Sequence, residues 1–209
     1  MKRELYNNVN CIILTGGKSS RMGTDKSFLK IGSETMIQRM KNLLSNIFKN
    51  VFLSTNDFDP YSGLQLTMIE DIYRDKGPLS GIHAALKFSS TQKNFIISCD
   101  LPFVTEDVIK YLVEYASQKP ILIPSAGDRM QQLCGIYSKS LVPEIETMFN
   151  EKESGIVDRE KRAVSVQRLI KSAGAEIINM ERLPFYNENI FFNMNSEADY
   201  NFVKSIVRN

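Results

Sequence analysis

The sequence predicts an α/β fold in which a mostly parallel sheet carries helices on both faces. Two observations predict this class. Short apolar runs alternate with amphipathic stretches along the chain, which is typical of strands that alternate with helices. The first run, Val9–Leu14, is apolar and rich in branched side chains, and it predicts a buried strand. The length of 209 residues suits one domain with a full core, so we expect a single domain over residues 1–209.

The composition excludes several classes of protein. Hydrophobic residues make up 43% and charged residues 24% of the chain, as in ordinary folded proteins, which argues against intrinsic disorder. The 26 Lys and Arg residues against 24 Asp and Glu give a net charge of +2. Because no basic excess or basic stripe is visible, no nucleic-acid partner is expected. Any anion-binding site must therefore be local.

The cysteines and the apolar runs predict the compartment. Cys11, Cys99 and Cys134 lie far apart and form no C-x-x-C pair, so neither a disulfide framework nor a zinc site is expected. We interpret Cys99 and Cys134 as small buried hydrophobic residues, and the cysteine usage as a whole suits a reducing compartment. The sequence has no run of about 20 apolar residues and no signal-peptide pattern at its start. We therefore expect a cytoplasmic protein without a membrane partner.

The first half predicts alternating strands and helices after the first strand. Apolar residues at helical spacing predict a helix, at Met36, Ile37, Met40, Leu43, Leu44 and Ile47. Further strands are expected at Val51–Ser54, 66–69 and 95–98. Further helices are expected at 79–88, after a turn at Gly77-Pro78, and at 104–117, where Thr105 is the candidate N-cap.

The second half predicts shorter elements. Strands are expected at 121–123, 135–137 and 175–178, with an aromatic strand at 190–192. Helices are expected at 143–149 and 164–173, and a closing helix at 196–207. The stretch 151–162 is rich in alternating charge, and we interpret it as a solvated helix face or a loop.

The stretch after the first strand is the most informative part of the chain. Residues 14–26 read LTGGKSSRMGTDK, so a buried strand leads into a loop with glycines, hydroxyls and the cations Arg21 and Lys26. Glycines expose backbone N–H groups that, with nearby cations, hold phosphates. A P-loop is excluded because its first glycine would fall on Ile12, and G-x-G-x-x-G is excluded because Ser19 replaces its second glycine. The alternative is an ordinary turn, which the two cations make less attractive.

Two aspartates follow predicted strands. Asp71 comes after the strand at 66–69, and Asp100 comes after the strand at 95–98. If these strands are parallel, both aspartates share one edge with the glycine-rich loop, the edge at which open α/β sheets bind ligands. A carboxylate beside a phosphate site requires a cation between them, and Mg²⁺ takes one or two carboxylates plus phosphate oxygens. The alternative for each is a turn residue or a helix cap.

Asn193-Met194-Asn195 forms a third candidate site, between the aromatic run and the last helix. An Asn carbonyl can complete a metal shell, and the alternative is a turn in which Asn195 caps the helix.

His83 is the single histidine, and no nucleophile stands at a recognisable spacing from it. We therefore interpret His83 as structural or on the surface.

These residues resemble the signatures of molybdenum cofactor guanylyltransferases of the MobA type. The stretch 14–26 is similar to the family's L-A-G-G-x-S-x-R-M-G-x-D-K signature. Glu70-Asp71 with Gly77-Pro78-Leu79-Ser80-Gly81 is similar to its E-D…G-P-L-A-G segment. Cys99-Asp100-Leu101-Pro102 is similar to C-D-x-P, and Asn193-Met194-Asn195-Ser196 is similar to N-x-N-T. The matches run from Leu14 to Ser196, nearly the whole chain.

The resemblance implies a fold and an activity. The family is a group of nucleotidyltransferases with a Rossmann-like sheet of the nucleotide-diphospho-sugar transferase type. It transfers GMP from GTP to molybdenum-molybdopterin with Mg²⁺ and releases pyrophosphate. The N-terminal half would bind the nucleotide and the C-terminal half the acceptor. GTP and molybdopterin would be the substrates, and molybdoenzyme maturation proteins are candidate partners.

The resemblance also assigns roles to individual residues. The nucleotide site would be lined by Leu14, Thr15, Gly16 and Gly17. Lys26 and Arg21 would contact the triphosphate and act in catalysis, and Asp71 would contact the nucleotide. Asp100 would bind Mg²⁺ and GTP and act in catalysis. Asn193 and Asn195 would contact the metal or the acceptor.

The chain departs from the family at several positions. Ser54 stands where the family often has an Asn at the nucleoside, and the nearby Asn56 is an alternative contact. Residues 131–134 lack the expected proline, and Ser196-Glu197 replaces Thr-Pro. Two other functions stay open at this point: a cytidylyltransferase of the same fold, and a non-catalytic nucleotide- or cofactor-binding module for molybdoenzyme maturation.

Overall fold

The fold is built on one mixed sheet. A computed structural model describes residues 4–15, 25–154 and 164–207. Its strands are β1 (Val9–Leu14), β2 (Lys30–Ile31), β3 (Glu34–Thr35), β4 (Val51–Ser54), β5 (Thr67–Ile69), β6 (Lys93–Ser98), β7 (Ile121–Ala126), β8 (Arg129–Met130), β9 (Cys134–Ser138) and β10 (Ala175–Asn179). Its α-helices are α1 (Met36–Ser45), α2 (Pro78–Phe88), α3 (Glu106–Glu114), α4 (Val142–Ser154), α5 (Val166–Ala173) and α6 (Glu197–Ile206).

The main sheet is mostly parallel, as the sequence predicts. Its strand order is β10-β7-β9-β6-β1-β4-β5, with β8 paired to β7. The neighbours of β1, which are β4 and β6, run parallel to it, and β5 continues parallel beside β4. Strand β9 is antiparallel to both β6 and β7. The carboxyl ends of β1, β4, β5 and β6 therefore meet along one edge, called here the carboxyl edge.

Two apolar cores cover the two faces of the sheet. In β1, Cys11 and Ile13 belong to one core, whereas Ile12 and Leu14 belong to the other. This alternation follows from the two-residue period of a strand. Helices α1, α3 and α6 supply the first core, and α2, α4 and α5 supply the second. The prediction of helices on both faces is confirmed.

Local signals set where several helices begin. Thr35 caps α1 and Ser196 caps α6, each in a capping box with the residue three positions later. Helix α2 begins at Pro78, directly after Gly77, whose φ of 72° favours glycine. Thr105 does occupy the N-cap of α3, but its hydroxyl makes no capping hydrogen bond. The first-half predictions are thus confirmed apart from small shifts of boundaries.

Three expectations need correction. Residues 190–192 form a turn rather than a strand, although Ile190 and Phe191 are buried there. Helix α3 ends at Glu114, so residues 115–117 are not helical. The cap of the last helix is Ser196, not Asn195. The stretch 151–162 needs no correction: it is helical up to Ser154, as one of its two interpretations has it, and its remaining residues lie outside the described ranges.

The buried residues agree with the interpretation of the cysteines. Cys11, Cys99 and Cys134 are free and buried. Burial raises the pKa of the Cys99 and Cys134 thiols to about 12, so neither is a reactive thiolate.

Among the helices of the described ranges, none combines the length and apolar character that a membrane span requires.

Candidate functional site

A cavity of about 650 Å³ opens at the carboxyl edge of the sheet. It lies where strands β1, β4 and β5 end and where α2 begins. Ligands of open α/β sheets bind in this position. The side chains and backbone that line it come from residues far apart in sequence: Leu14, Thr15, Asp25, Ser54, Thr55, Asn56, Asp57, Tyr61, Asp71, Asp75, Gly77, Pro78, Gly81, Ser98 and Leu133.

The ends of β1 and β4 fix one wall of the cavity. The backbone N–H and the hydroxyl of Thr15 both donate to the carbonyl oxygen of Ser54, each at 3.0 Å. On the other side of β1, the Leu14 carbonyl accepts from the N–H of Cys99 at 3.1 Å. The predicted nucleotide residues Leu14 and Thr15 thus line the cavity on a rigid backbone.

Asp71 and Asn56 form a second wall. The Asn56 amide donates to Asp71 Oδ2 at 2.9 Å, and the backbone N–H of Asp71 donates to Asn56 Oδ1 at 3.0 Å. Burial raises the pKa of Asp71, although the Asn56 amide acts in the opposite direction. Asn56 therefore orients a partly desolvated carboxylate toward the cavity. Both Ser54 and Asn56, the alternatives for the nucleoside contact, line the cavity.

Gly81 on α2 makes room for this wall. A Cβ atom at Gly81 would lie 2.8 Å from Ser54 Oγ and 3.1 Å from Leu14 Cδ2. Real Cβ atoms do not approach so closely without movement of a neighbour. The glycine thus lets the first turn of α2 pack directly against the ends of β1 and β4.

Asp25 and Tyr61 close the cavity near the end of the glycine-rich loop. Tyr61 is 2% exposed, and its hydroxyl donates to Asp25 Oδ2 at 2.6 Å. The other carboxylate oxygen of Asp25 accepts from the backbone N–H of Ser27 at 2.9 Å and so caps a short 3₁₀ helix, Lys26–Phe28. Burial, together with the adjacent Asp25 carboxylate, raises the pKa of Tyr61.

Asp100 lies next to the closing Asn-Met-Asn segment. The backbone N–H of Met194 donates to the Asp100 carbonyl oxygen at 2.9 Å. The carboxylate oxygen Oδ1 of Asp100 is buried and has no hydrogen-bond partner within the described part of the chain. A buried acceptor without a partner is costly, so a cation or a hydrogen-bond donor bound at Oδ1 would be stabilising.

Lys26 and Asn195 extend the same region. Lys26 Nζ donates to Asn195 Oδ1 at 3.0 Å, although the two residues belong to opposite ends of the chain. Asn193 instead donates from its amide to the Phe191 carbonyl at 3.0 Å. Two hydrogen bonds thus join Asp100, the closing segment and Lys26, while Asn193 has a local partner.

The structure does not bring every predicted residue to the cavity wall. Leu14, Thr15 and Asp71 line it, whereas Lys26, Asp100, Asn193 and Asn195 do not. Lys26, Asp100, Asn193 and Asn195 form a separate group, in which Met194 joins Asp100 to the closing segment. Ser98, two residues before Asp100, lines the cavity. Gly16, Gly17 and Arg21 lie outside the described residues.

His83 is structural and not on the surface. Its side chain is fully buried, and its Nε2 lies 3.0 Å from Glu146 Oε1. The ring packs edge-on against Tyr73 and Phe149, with centroids 5.1 Å and 5.6 Å away. His83 therefore joins α2 to α4 and to the segment 70–77.

The donor set around Asp100 can be tested against the Mg²⁺ expectation. Within residues 4–15, 25–154 and 164–207, no three His, Cys, Asp or Glu side chains come together as a metal-holding group. Mg²⁺ needs fewer, since it binds through one or two carboxylates and completes its shell with phosphate oxygens and waters. Asp100 Oδ1, which has no hydrogen-bond partner among the described residues, fits such an ion.

The sequence did not single out several residues of the cavity. Tyr61, Asp57 and Asp75 line it, and Asp25 was only part of a motif. Tyr61 lies in a 3₁₀ segment with no periodic signal, and Asp75 has a left-handed backbone with φ of 59°. Asp tolerates this conformation better than most residues, but the conformation itself is visible only in the structure.

Comparison with known proteins supports the interpretation of these motifs. The family model described as "MobA-like NTP transferase domain" matches residues 11–169. A probable molybdenum cofactor guanylyltransferase of Carboxydothermus hydrogenoformans is 31% identical over 195 residues, which cover 92% of this chain and 93% of the relative.

Solved structures agree with the fold. The molybdopterin-guanine dinucleotide biosynthesis protein A of Archaeoglobus fulgidus aligns with a TM-score of 0.76 at 22% identity, over 95% of this chain and 98% of that chain. The 2-C-methyl-D-erythritol 4-phosphate cytidylyltransferase of Thermus thermophilus aligns with a TM-score of 0.62 at 15% identity, over 97% and 100%. The fold alone is thus shared by proteins named for different bases. Since the family model spans well over half of the chain, the chain belongs to the family of MobA-like NTP transferase domains.

Proposed function

We propose that this protein transfers GMP from GTP to molybdenum-molybdopterin and releases pyrophosphate. The observation that carries the proposal is the pair of hydrogen bonds that brings Asp100, Asn195 and Lys26 together beside a cavity at the carboxyl edge. The name of the Carboxydothermus relative, which aligns over almost its whole length, supports guanylyl transfer to the molybdenum cofactor.

The cavity suits the base and the ribose of a nucleotide. Its described lining carries four aspartates, Asp25, Asp57, Asp71 and Asp75, and no Lys or Arg. Carboxylates accept hydrogen bonds, and guanine presents the N–H donors of its N1 and N2 positions. Asp71, oriented by Asn56, is the proposed acceptor for such donors. Leu14 and Thr15 would line the nucleotide site, and the loop residues Gly16 and Gly17 would hold the nucleotide through their backbone.

The triphosphate would lie toward Lys26 and Asp100. Lys26 and Arg21 are the proposed cationic contacts of the phosphates, and Asp100 is the proposed Mg²⁺ ligand, with Asn193 and Asn195 as candidate ligands of the metal or the acceptor. When bound, Mg²⁺ would supply charge neutralisation at the phosphates. Lys26 would stabilise the negative charge on the departing pyrophosphate, an electrostatic contribution that is often the largest in phosphoryl chemistry.

The reaction requires no general base from the protein. The proposed nucleophile is a phosphate monoester oxygen of the acceptor, whose second pKa is about 6, so it is mostly ionised at neutral pH. This agrees with a fully buried His83 that contacts Glu146 rather than the cavity. The protein's task is to position two anions for in-line attack while its cations lower their repulsion. The acceptor would be bound by the C-terminal half of the single domain.

The main alternative is cytidylyl transfer on the same fold. The structural likeness to a cytidylyltransferase leaves this open, whereas Gly16 in the glycine-rich loop favours the guanylyl family. The other alternative is a non-catalytic nucleotide- or cofactor-binding module. The presence of both Lys26 and Asp100 speaks against it, because nucleotide binding alone does not require both. Expected partners are maturation proteins of molybdoenzymes, and the expected compartment is the cytoplasm.

Pyrophosphate release tests the proposal. The full chain would be incubated with Mg²⁺, molybdenum-loaded molybdopterin and GTP, with CTP and ATP in parallel. We expect release with GTP only. Release with CTP only would assign the sister activity. No release with any nucleotide, from folded protein that still binds GTP, would support the non-catalytic module.

A further inference from the structure

We propose that Tyr61 is a positioning residue that holds the Asp25 carboxylate away from Lys26 and so keeps the Lys26 ammonium available for the triphosphate. Asp25 and Lys26 are adjacent in sequence, at the end of the glycine-rich loop. Without a restraint, a carboxylate next to this ammonium in sequence can turn to form an ion pair with it, and such a pair would compete with the phosphates of the nucleotide. The inference rests on the proposed use of Lys26 as a phosphate contact.

Both oxygens of the Asp25 carboxylate have other partners. Tyr61 donates to Oδ2 at 2.6 Å, and the backbone N–H of Ser27 donates to Oδ1 at 2.9 Å. A hydrogen bond from a neutral donor to a carboxylate is charge-assisted and stronger than an ordinary one. The two donors fix the orientation of a side chain that otherwise faces the cavity.

Tyr61 is itself rigidly held, so it can serve as the fixed point. Its ring is almost fully buried, lies 5.0 Å from the Phe28 ring, and belongs to the 3₁₀ segment Asp59–Leu64 that follows β4. Its hydroxyl also lies 3.3 Å from Ser27 Oγ. Tyr61 thus contacts three positions around Lys26, namely Asp25, Ser27 and Phe28, and orients the short helix that carries it.

The Lys26 ammonium, by contrast, contacts a neutral group. Its hydrogen-bond partner is the amide oxygen of Asn195, at 3.0 Å. Within the described residues, no carboxylate lies at ion-pair distance from it. Burial acts to raise the pKa of Asp199, but hydrogen bonds from Asn195 and Ser196 and the positive charge of Lys26 lower it below its usual value. The charge of Lys26 is therefore held in place without being neutralised by direct contact.

The test is the affinity of the full-length protein for inorganic tripolyphosphate and for Mg·GTP, measured by calorimetry. In Tyr61→Phe the freed Asp25 can turn toward Lys26, and we expect both affinities to fall about tenfold or more, the value of one hydrogen bond to a charged group. Adding Asp25→Asn to Tyr61→Phe removes the competing charge. We expect this double variant to recover most of the lost affinity.

A matched control separates this effect from a general loss of packing. Tyr6 also donates to a carboxylate, that of Glu114, but lies before β1 at the opposite edge of the sheet. Tyr6→Phe should therefore bind tripolyphosphate as the wild type does. The proposal is wrong if Tyr61→Phe matches Tyr6→Phe, or if the double variant binds no better than Tyr61→Phe alone.

Asp25→Asn provides a second test that does not depend on the folding of Tyr61→Phe. Because Tyr61 already restrains the Asp25 carboxylate, Asp25→Asn should not weaken tripolyphosphate binding, since loss of a negative charge near the site favours a polyanion. A loss larger than tenfold would show that Asp25 contacts the ligand or metal directly and would overturn the inference. A wild-type protein that binds GTP but transfers no GMP would contradict the proposed function, while these binding comparisons would still decide the role of Tyr61.

Discussion

The backbone N–H of Met194 lies 2.9 Å from the carbonyl oxygen of Asp100 and donates a hydrogen bond to it. This single bond joins the exit of the central strand β6 to the segment before the last helix. The side chain of Asn195, the next residue, accepts a hydrogen bond from the Lys26 ammonium. A main-chain contact thus sets the spacing between an acidic side chain and a basic one at the carboxyl edge.

Removing the Asp100 charge should abolish most of the activity without unfolding the protein. In Asp100→Asn, the side chain keeps its shape, and its buried Oδ1 position has no described partner to lose. We expect kcat to fall about 100- to 1000-fold, with little change in melting temperature. Asp107→Asn, at an exposed position in the first turn of α3, is the matched control. Equal losses in Asp100→Ala and His83→Ala, measured per folded molecule, would contradict the role of Asp100.

Asp71→Asn should make the nucleotide-free protein more stable and bind GTP more weakly. Burial raises the pKa of Asp71, so the native state binds its proton more tightly than the unfolded state does. The ionised carboxylate therefore destabilises the native state at neutral pH. The advantage of the variant should shrink as the pH falls through the raised pKa, because protonation then relieves the wild type. Melting temperatures between pH 7 and about pH 4 test this, and a wild type that is more stable than the variant at pH 7 would refute it.

Gly81→Ala should lower both stability and nucleotide affinity. The new Cβ would lie 2.8 Å from Ser54 Oγ, and overpacking of this kind costs about 1–3 kcal/mol, more than the helix propensity gained. Gly63→Ala, where nothing lies within 4 Å of the added atom, is the control and should be nearly neutral. Combining Gly81→Ala with Ser54→Ala removes the closest clash. Urea unfolding that shows no recovery in this pair would place the strain elsewhere.

Tyr73→Ala should raise the KM for GTP more than it lowers kcat. Tyr73 packs on Phe149 with centroids 4.5 Å apart and on His83 at 5.1 Å, and it anchors the segment that carries Asp71 and Asp75 to the cavity. Displacement of these carboxylates should raise the KM roughly 10- to 100-fold, whereas Tyr73→Phe keeps the ring and should behave as the wild type.

The control for Tyr73→Ala is Phe88→Ala, which removes another aromatic ring, at the end of α2. Phe88 is 52% exposed and meets Phe52 edge-on at 5.2 Å, away from the cavity lining. Its removal should leave the KM for GTP unchanged. A similar rise in KM for both alanine variants would mean that Tyr73 acts only through general stability.

The sequence predicted the parts of the fold that depend on local pattern. Strand Val9–Leu14 and strand Val51–Ser54 have the predicted bounds, because apolar runs with branched side chains leave little ambiguity. The strand predicted at 190–192 was wrong because apolar residues were taken as a strand, whereas Ile190 and Phe191 are buried within a turn. Apolar character reports burial and does not by itself report backbone conformation.

The site was predicted as far as motifs and strand ends reach. The expectation that Asp71 and Leu14 share an edge followed from parallel strands, and both line the cavity. Tyr61 and the Lys26–Asn195 contact could not be predicted, since they depend on how a 3₁₀ segment and the chain end return to that edge. The sequence left His83 as structural or on the surface. Only the packing of α2, which is buried on nearly all sides, decides between the two.

The reversed direction of β9 has a consequence for how such proteins change during evolution. Because β9 runs against its neighbours, its entry, with Leu133 at the cavity, lies at the same edge as the exits of the parallel strands. The hairpin formed by β7 and β8, together with the turn before β9, can therefore gain, lose or exchange residues at the rim of the site. Such insertions would leave the backbone of β1, β4 and β6 untouched. The rim of the cavity can then be remodelled through one surface hairpin rather than through a new scaffold.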